Sequence, residues 1–169
     1  MDMERNLKIR HAEEKEISQI KEVYDKAKAF MRRNGNLTQW VNGYPSEEVI
    51  LKDIQNGNLY VVEDEEREIS AVFAFILGHD PTYTIIEDGE WINDRPYGTI
   101  HRIGSSGKYG GMMKFCLDFC LTKIDTIRID THKDNIPMLS ALKRLGFTYC
   151  GIIYCQDGTP RRAFQLTKS

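Results

Sequence analysis

From Thr99 to Leu121 the chain changes its local pattern twice. Thr99-Ile100-His101-Arg102-Ile103 reads as a strand, Gly104-Ser105-Ser106-Gly107-Lys108-Tyr109-Gly110-Gly111 is a glycine-rich loop, and Met112 to Leu121 is an apolar helix. A strand that runs through such a loop into a helix aims unpaired amides and the positive helix end at one point, where a phosphate fits. Glycines matter there because a Cβ would hold the backbone away from the anion and because inward-turned amides often need φ > 0. On the glycines alone an ordinary flexible loop is an equal reading.

Two nucleotide motifs are excluded by spacing. A P-loop needs Gly five residues before the Gly of the Gly-Lys pair and Ser or Thr after the Lys, and those positions hold Arg102 and Tyr109. A dinucleotide GxGxxG needs another spacing in an early βαβ unit, whereas this loop lies about two-thirds along the chain.

The remaining pattern is α/β. Leu7 to Arg10 alternates as a strand, and Ile17, Ile20, Tyr24, Ala27 and Met31 form the apolar stripe of a long helix stopped at Asn34-Gly35-Asn36. Ser46 caps a second helix carrying Val49, Ile50 and Ile54. Leu59 to Glu63 and Ile69 to Leu77 are strands, with Asp64 to Arg67 as a solvated hairpin tip, and Tyr83 to Ile86 is a further strand candidate. Thr126 to His132 is a strand, Asn135 caps a helix with Pro137 in its first turn and Gly146 at its end, and Phe147 to Cys155 with Ala163 to Thr167 closes as a hairpin. With 169 residues and no repeat or linker, residues 1–169 read as a single domain.

Composition narrows the partners. Lys+Arg of 23 against Asp+Glu of 25 gives a formal charge of −2, too balanced for a nucleic-acid or anionic-membrane binder held by its field. The first residues carry no signal-peptide pattern, and the longest apolar run, Ala71 to Leu77, is far short of a membrane span, so the expectation is a cytoplasmic protein. Cys116, Cys120, Cys150 and Cys155 form no CxxC pair and have no clustered His nearby, which predicts reduced structural thiols and no metal site.

The order of these elements resembles the GCN5-related N-acetyltransferases over nearly the whole chain. In that family the loop reads Gln/Arg-x-x-Gly-x-Gly/Ala; Lys108-Tyr109-Gly110-Gly111-Met112-Met113 aligns with it, Lys108 standing for the usual Gln or Arg and Met113 for the small last residue. Asp134-Asn135 and the helix ending in Leu145-Gly146-Phe147 resemble a second family motif. The resemblance implies a mixed, mostly antiparallel sheet of six to seven strands flanked by about four helices. It also implies an N-acetyltransferase that moves an acetyl group from acetyl-CoA to a primary amine by direct attack in a ternary complex. Acetyl-CoA would touch Arg102, Ile103 and Gly104 on the strand, Gly107, Lys108, Tyr109, Gly110, Gly111, Met112 and Met113 on the loop and helix start, and Asn135. The pantetheine arm would lie between two splayed strands, with an amide near Ile103 polarising the thioester.

For proton handling the candidates are His101, beside the thioester, Glu90 or Glu87 through water, and the Asp130/His132 pair on the next strand. The plainer reading of His101 is a strand histidine whose ring is hydrogen-bonded on the far face. Where the family often has a Tyr acid this chain has Leu142, leaving Tyr149, Tyr109, Tyr154 or water, with a core aromatic as the plainer reading of Tyr149. Gln39, Trp40, Tyr44 and Trp91 are polar-aromatic loop residues suited to an acceptor pocket, Trp40 and Trp91 also to plugging the core. The partner is then a small-molecule or peptide amine, and a final exposed strand would allow a homodimer. Leu142 and Met113 leave open a non-catalytic acyl-CoA-binding or sensing domain.

Overall fold

A computed structural model describes residues Asn6 to Lys168. In chain order the elements are β1 (Lys8–His11), α1 (Ile17–Arg33), α2 (Glu47–Gln55), β2 (Leu59–Glu63), β3 (Ile69–Leu77), β4 (Gly98–Ser105), α3 (Met112–Leu121), β5 (Thr126–Thr131), α4 (Ile136–Arg144), β6 (Thr148–Tyr154) and β7 (Pro160–Thr167). Short 3₁₀ turns cover Glu14–Glu16 and Pro81–Tyr83. One seven-stranded sheet runs β1-β2-β3-β4-β5-β7-β6, and only the β4/β5 pair is parallel.

Alternation along the strands feeds two cores. Phe73, Phe75, Ile100, Ile127, Ile129 and Phe164 face α3 and α4, where they meet Cys116, Leu117 and Leu142. Val61, Val72 and Ala74 face the other way onto Ile20, Val23, Tyr24 and Ile50 of α1 and α2. Each buried Val, Leu, Ile or Phe among them contributes about 1.5–3 kcal/mol by leaving water. The helix ends follow the sequence: Ser46 Oγ accepts from the Val49 amide, Asn135 accepts from Met138, and Gly146 leaves α4 at φ 89°.

Four expectations need correction. Tyr83 to Ile86 is not a strand: Asp80 caps the Pro81–Tyr83 turn, and the adjoining Glu87 forms an isolated backbone bridge with Ile152. The acidic turn is not simply solvated, since Asp64 is buried and accepts from the Glu66 and Glu68 amides. The last strand is not exposed, because β7 is inserted between β5 and β6. Tyr149 is no core aromatic: it is 48% exposed, with only one edge against Phe164.

Burial pushes the Cys120 thiol up to about 12 and raises the thiols of Cys116, Cys150 and Cys155 as well, so none is held as a thiolate nucleophile. All four cysteines are unbridged. Among the described residues no helix is long and apolar enough to cross a membrane, and no His, Cys, Asp and Glu cluster is arranged to hold a metal.

Candidate active site

β4 and β5 are paired only at Gly98↔Ile127 and Thr99↔Arg128, yet β4 runs on to Ser105 and β5 to Thr131. The two strands therefore part, and a cleft opens toward the glycine loop on one side and the β5–α4 turn on the other. The buried hydroxyls of Thr99 and Thr131, on the two bordering strands, have no hydrogen-bond partner among the described residues.

A bulge shapes the β4 side. Ala74 pairs with His101 and Val72 with Gly104, so Arg102 and Ile103 together oppose Phe73. Arg102 takes a left-handed φ of 49°, which costs a non-glycine residue about 1 kcal/mol or more. Three contacts hold it there: Asp53 accepts its guanidinium bidentately at 2.8 Å on both oxygens, Tyr44 Oη accepts from Nη1 at 3.1 Å, and Tyr24 Oη donates to its carbonyl at 2.8 Å.

The loop after β4 ends at Gly111, which is left-handed (φ 72°) and starts α3 with no side-chain cap. A Cβ built on Gly107 or Gly110 would meet nothing within 4 Å, so the loop faces open space there. Gly104 has another role, since its Cβ would lie 3.1 Å from Ala27 Cβ and 3.2 Å from the Tyr24 ring: it lets β4 approach α1. The acidic β2–β3 turn fastens the loop. Lys108 Nζ lies 2.8 Å from both Asp64 and Glu66, and Tyr109 Oη donates to Asp64 at 3.1 Å. Hydrogen bonding to Asp64 is the main cause that raises the Lys108 pKa.

Beyond α1 and α2, residues 78–97 cover the same face of β5, β7 and β6. Asp80 Oδ1 accepts from the Thr82 amide and hydroxyl, and Oδ2 lies 2.8 Å from His101 Nε2. Burial disfavours the Asp80 carboxylate, but the hydrogen bonds from His101 and Thr82 outweigh it and hold the pKa at about 2. An ionised carboxylate can only accept, so Nε2 carries a proton, and in the neutral ring Nδ1 is the nitrogen with the lone pair. Next to this pair, the buried Tyr83 donates to Asp130 at 2.6 Å, and Arg128 lies between the rings of Trp91 and Tyr97, 4.0 and 4.1 Å from their centroids.

A strand pair parted at a bulge, with a glycine loop at its mouth and a His-Asp pair on its wall, invites comparison with known structures. An acetyltransferase of the GNAT family from Streptococcus agalactiae 2603 shares 33% identity with this chain, covers 96% of each chain and superposes with a TM-score of 0.86. The chain belongs to the GNAT family of acetyltransferases. A GNAT-family acetyltransferase from Listeria monocytogenes 4b F2365 (19% identity, 96% and 95% covered, TM-score 0.70) and one from Bacillus cereus ATCC 10987 (18%, 96% and 98%, 0.62) share its fold. No family model and no curated protein matches the sequence.

This GNAT chain brings only part of the expected residue set together. His101, Arg102, Ile103 and the loop from Gly107 to Met113 border the strand split. The side chains of Arg102 and Lys108 are engaged by Asp53 and by the acidic turn, so their part at the split is through the backbone. Met112 is buried and Met113 half-buried against the α3 core. Asn135 is a buried cap whose amide donates to Gln39 at 3.1 Å, and Gln39 also accepts from Asn36. Gln39 thus ties the α1–α2 connector to α4 instead of lining an open pocket.

Trp40 plugs the core edge-on to Tyr24, at 5.4 Å. Trp91 is half-buried, its indole donating to the Tyr83 carbonyl, while Tyr44 remains 37% exposed. Glu90 is exposed in the covering segment, and Glu87 accepts from Tyr154. His132 has both nitrogens engaged: Nδ1 accepts from the Asp134 amide, so Nε2 donates to Thr38 at 2.8 Å. Leu142, at the position where the resemblance implies a tyrosine acid, is fully buried in the core.

The sequence reading missed Asp80, Tyr83 and Asp53. Asp80-Pro81-Thr82 carries a signal that could have found the first, since Asp before Pro favours a turn start and its side chain caps the amide two residues on. A depression of about 420 Å³ lined by Arg10, Glu13, Lys15 and Glu63 lies by β1, away from this chemistry.

Proposed function

We propose that this acyltransferase uses acetyl-CoA to acetylate a primary amine in a ternary complex, with His101 as general base. The arrangement that carries the reading is His101 on the wall of the β4/β5 split, its Nε2 held by Asp80 at 2.8 Å. The uncrowded glycines, the uncapped start of α3 and the unpartnered hydroxyls of Thr99 and Thr131 fit a cosubstrate with a phosphate and an amide-bearing arm. Amides of the Gly107–Met113 segment would hold the pyrophosphate, and the β4 backbone near Ile103 would hold the arm and polarise the carbonyl. Acetyl-CoA, when bound, supplies a thioester activated for direct attack by the amine.

The chain's own task is then to deprotonate and orient the acceptor. Asp80 fixes the tautomer and plane of the ring, so Nδ1 accepts the proton an ammonium must lose, directly or through one water. High thiol pKa values in a buried setting argue against a covalent enzyme intermediate. Tyr44 and Trp91 are the sequence-derived acceptor residues that keep an exposed surface near this wall. The acceptor is a small-molecule or peptide amine met in the cytoplasm, with no nucleic acid, membrane or metal needed. Incubation with acetyl-CoA and a panel of amines, followed by release of free thiol, tests the reading: amine-dependent release is expected. Acetyl-CoA binding without turnover of any amine would point to the sensing domain instead.

A further inference from the structure

Beside the split lies another cleft, of about 180 Å³, lined by His132, Lys133, Ile152, Pro160, Arg161 and Arg162. That is a volume for a head group with a few carbons, below the roughly 300 Å³ at which whole-ligand pockets begin. Its lining joins the apolar Ile152 and Pro160 to the cationic Lys133, Arg161 and Arg162. Elsewhere in the molecule Arg10, Arg102 and Lys108 are paired with carboxylates, but among the described residues none of Lys133, Arg161 and Arg162 forms an ion pair. Arg161 bonds only to neutral oxygens, the Thr159 hydroxyl and the Pro160 carbonyl. Burial, then Arg161, lowers the His132 pKa although Asp134 lies 3.6 Å from its Nδ1 and opposes the shift.

The position relates this cleft to the chemistry. Continuing the Gly98↔Ile127 register by three residues sets His101 level with Asp130 across the split, and Asp130 and Thr131 are paired on their other side with Ala163 and Arg162. His101 and the cleft strand are thus at least two strand spacings apart, on the order of 10 Å or somewhat more where the strands part. Two residues of extended chain span about 7 Å, and an arginine side chain reaches back over the rest.

We infer that the cleft is an anion subsite for the acceptor, so that the preferred substrate is an amine carrying a carboxylate about a dipeptide's length away. This deepens the acetyltransferase reading and rests on it. The carboxylate would take charge-assisted hydrogen bonds from Arg161 and Lys133 while the aliphatic part lies on Ile152 and Pro160.

The test pairs 6-aminohexanoate and glycylglycine with their terminal amides. In turnover, each acid should exceed its amide in kcat/KM by about tenfold, the worth of one hydrogen bond to a charged group. Arg161→Gln should erase that preference and leave the amides and the KM for acetyl-CoA unchanged; Lys133→Gln, on an exposed turn, is the second variant. Calorimetry of acid and amide without acetyl-CoA separates this claim from the catalytic one, because tighter binding of the acid needs no turnover. Equal binding of acid and amide overturns the subsite whether or not either is acetylated. A rise in the KM for acetyl-CoA in Arg161→Gln also overturns it, assigning the cleft to a cofactor phosphate.

Discussion

His101 Nε2 lies 2.8 Å from Asp80 Oδ2, although the two residues belong to different elements, β4 and the capped turn after β3. The carboxylate fixes the ring without sharing its task, so the two side chains should be separable by kinetics.

His101→Ala should lower kcat by about 10² to 10⁴ at neutral pH, the usual worth of a general base. Asp80→Asn keeps the turn and the ring but removes the tautomer lock, and should lower kcat by about tenfold or more with both KM values unmoved. Steady-state kinetics on one responsive amine checks both. An Asp80→Asn enzyme with full kcat would remove Asp80 from the machinery.

Asp80 also makes stability depend on pH. Its folded pKa of about 2 lies below the ordinary carboxylate value, so its contribution is complete above about pH 4 and is lost as pH falls toward 2. Urea midpoints for wild type and Asp80→Asn should therefore differ more at pH 6 than at pH 2.5. A constant difference would mean that the His101 contact does not favour the charged carboxylate.

Asp53 holds the strained Arg102 from α2, and the two side chains are only 9% and 15% exposed. Asp53→Asn leaves a largely buried guanidinium without its counter-charge, and should cost about 3 kcal/mol in urea denaturation. Since the bulge borders the split, kcat should fall as well.

Leu142 is fully buried against the α3 side of the sheet. Leu142→Tyr introduces the acid that the family resemblance implies at this position, but it forces a larger ring and a hydroxyl into a filled site. It should lower stability by about 1–3 kcal/mol and leave kcat no higher. A gain in kcat would show that the position still reaches the leaving group.

These predictions divide between parts of the chain that the sequence made legible and parts it did not. Strand β4, its glycine loop and α3 could be read because period, β-branching and glycine all act locally. The segment from 78 to 97 could not, because distant backbone shapes it: a Cβ on Gly89 would sit 2.0 Å from the Cys150 carbonyl oxygen. Gln39 looked like a pocket residue because it is polar and in a loop, yet its partner Asn135 is 96 positions away. Lys108 looked free to meet a phosphate because the acidic turn that holds it, Asp64 to Glu68, precedes it by some 40 residues. In each case the deciding contact is long-range; only the Asp80-Pro81-Thr82 cap leaves a local trace.

The most direct test of the central claim is a calorimetric titration of the protein with acetyl-CoA, with adenosine diphosphate as the control for nonspecific phosphate binding. The account predicts saturable one-to-one binding at about micromolar concentration, a weak response to the control, and strong loss in Gly111→Glu, which sets a carboxylate at the uncapped start of α3. Absence of binding beyond the control, or unchanged affinity in Gly111→Glu, would contradict the assignment of the glycine loop as the acetyl-CoA site.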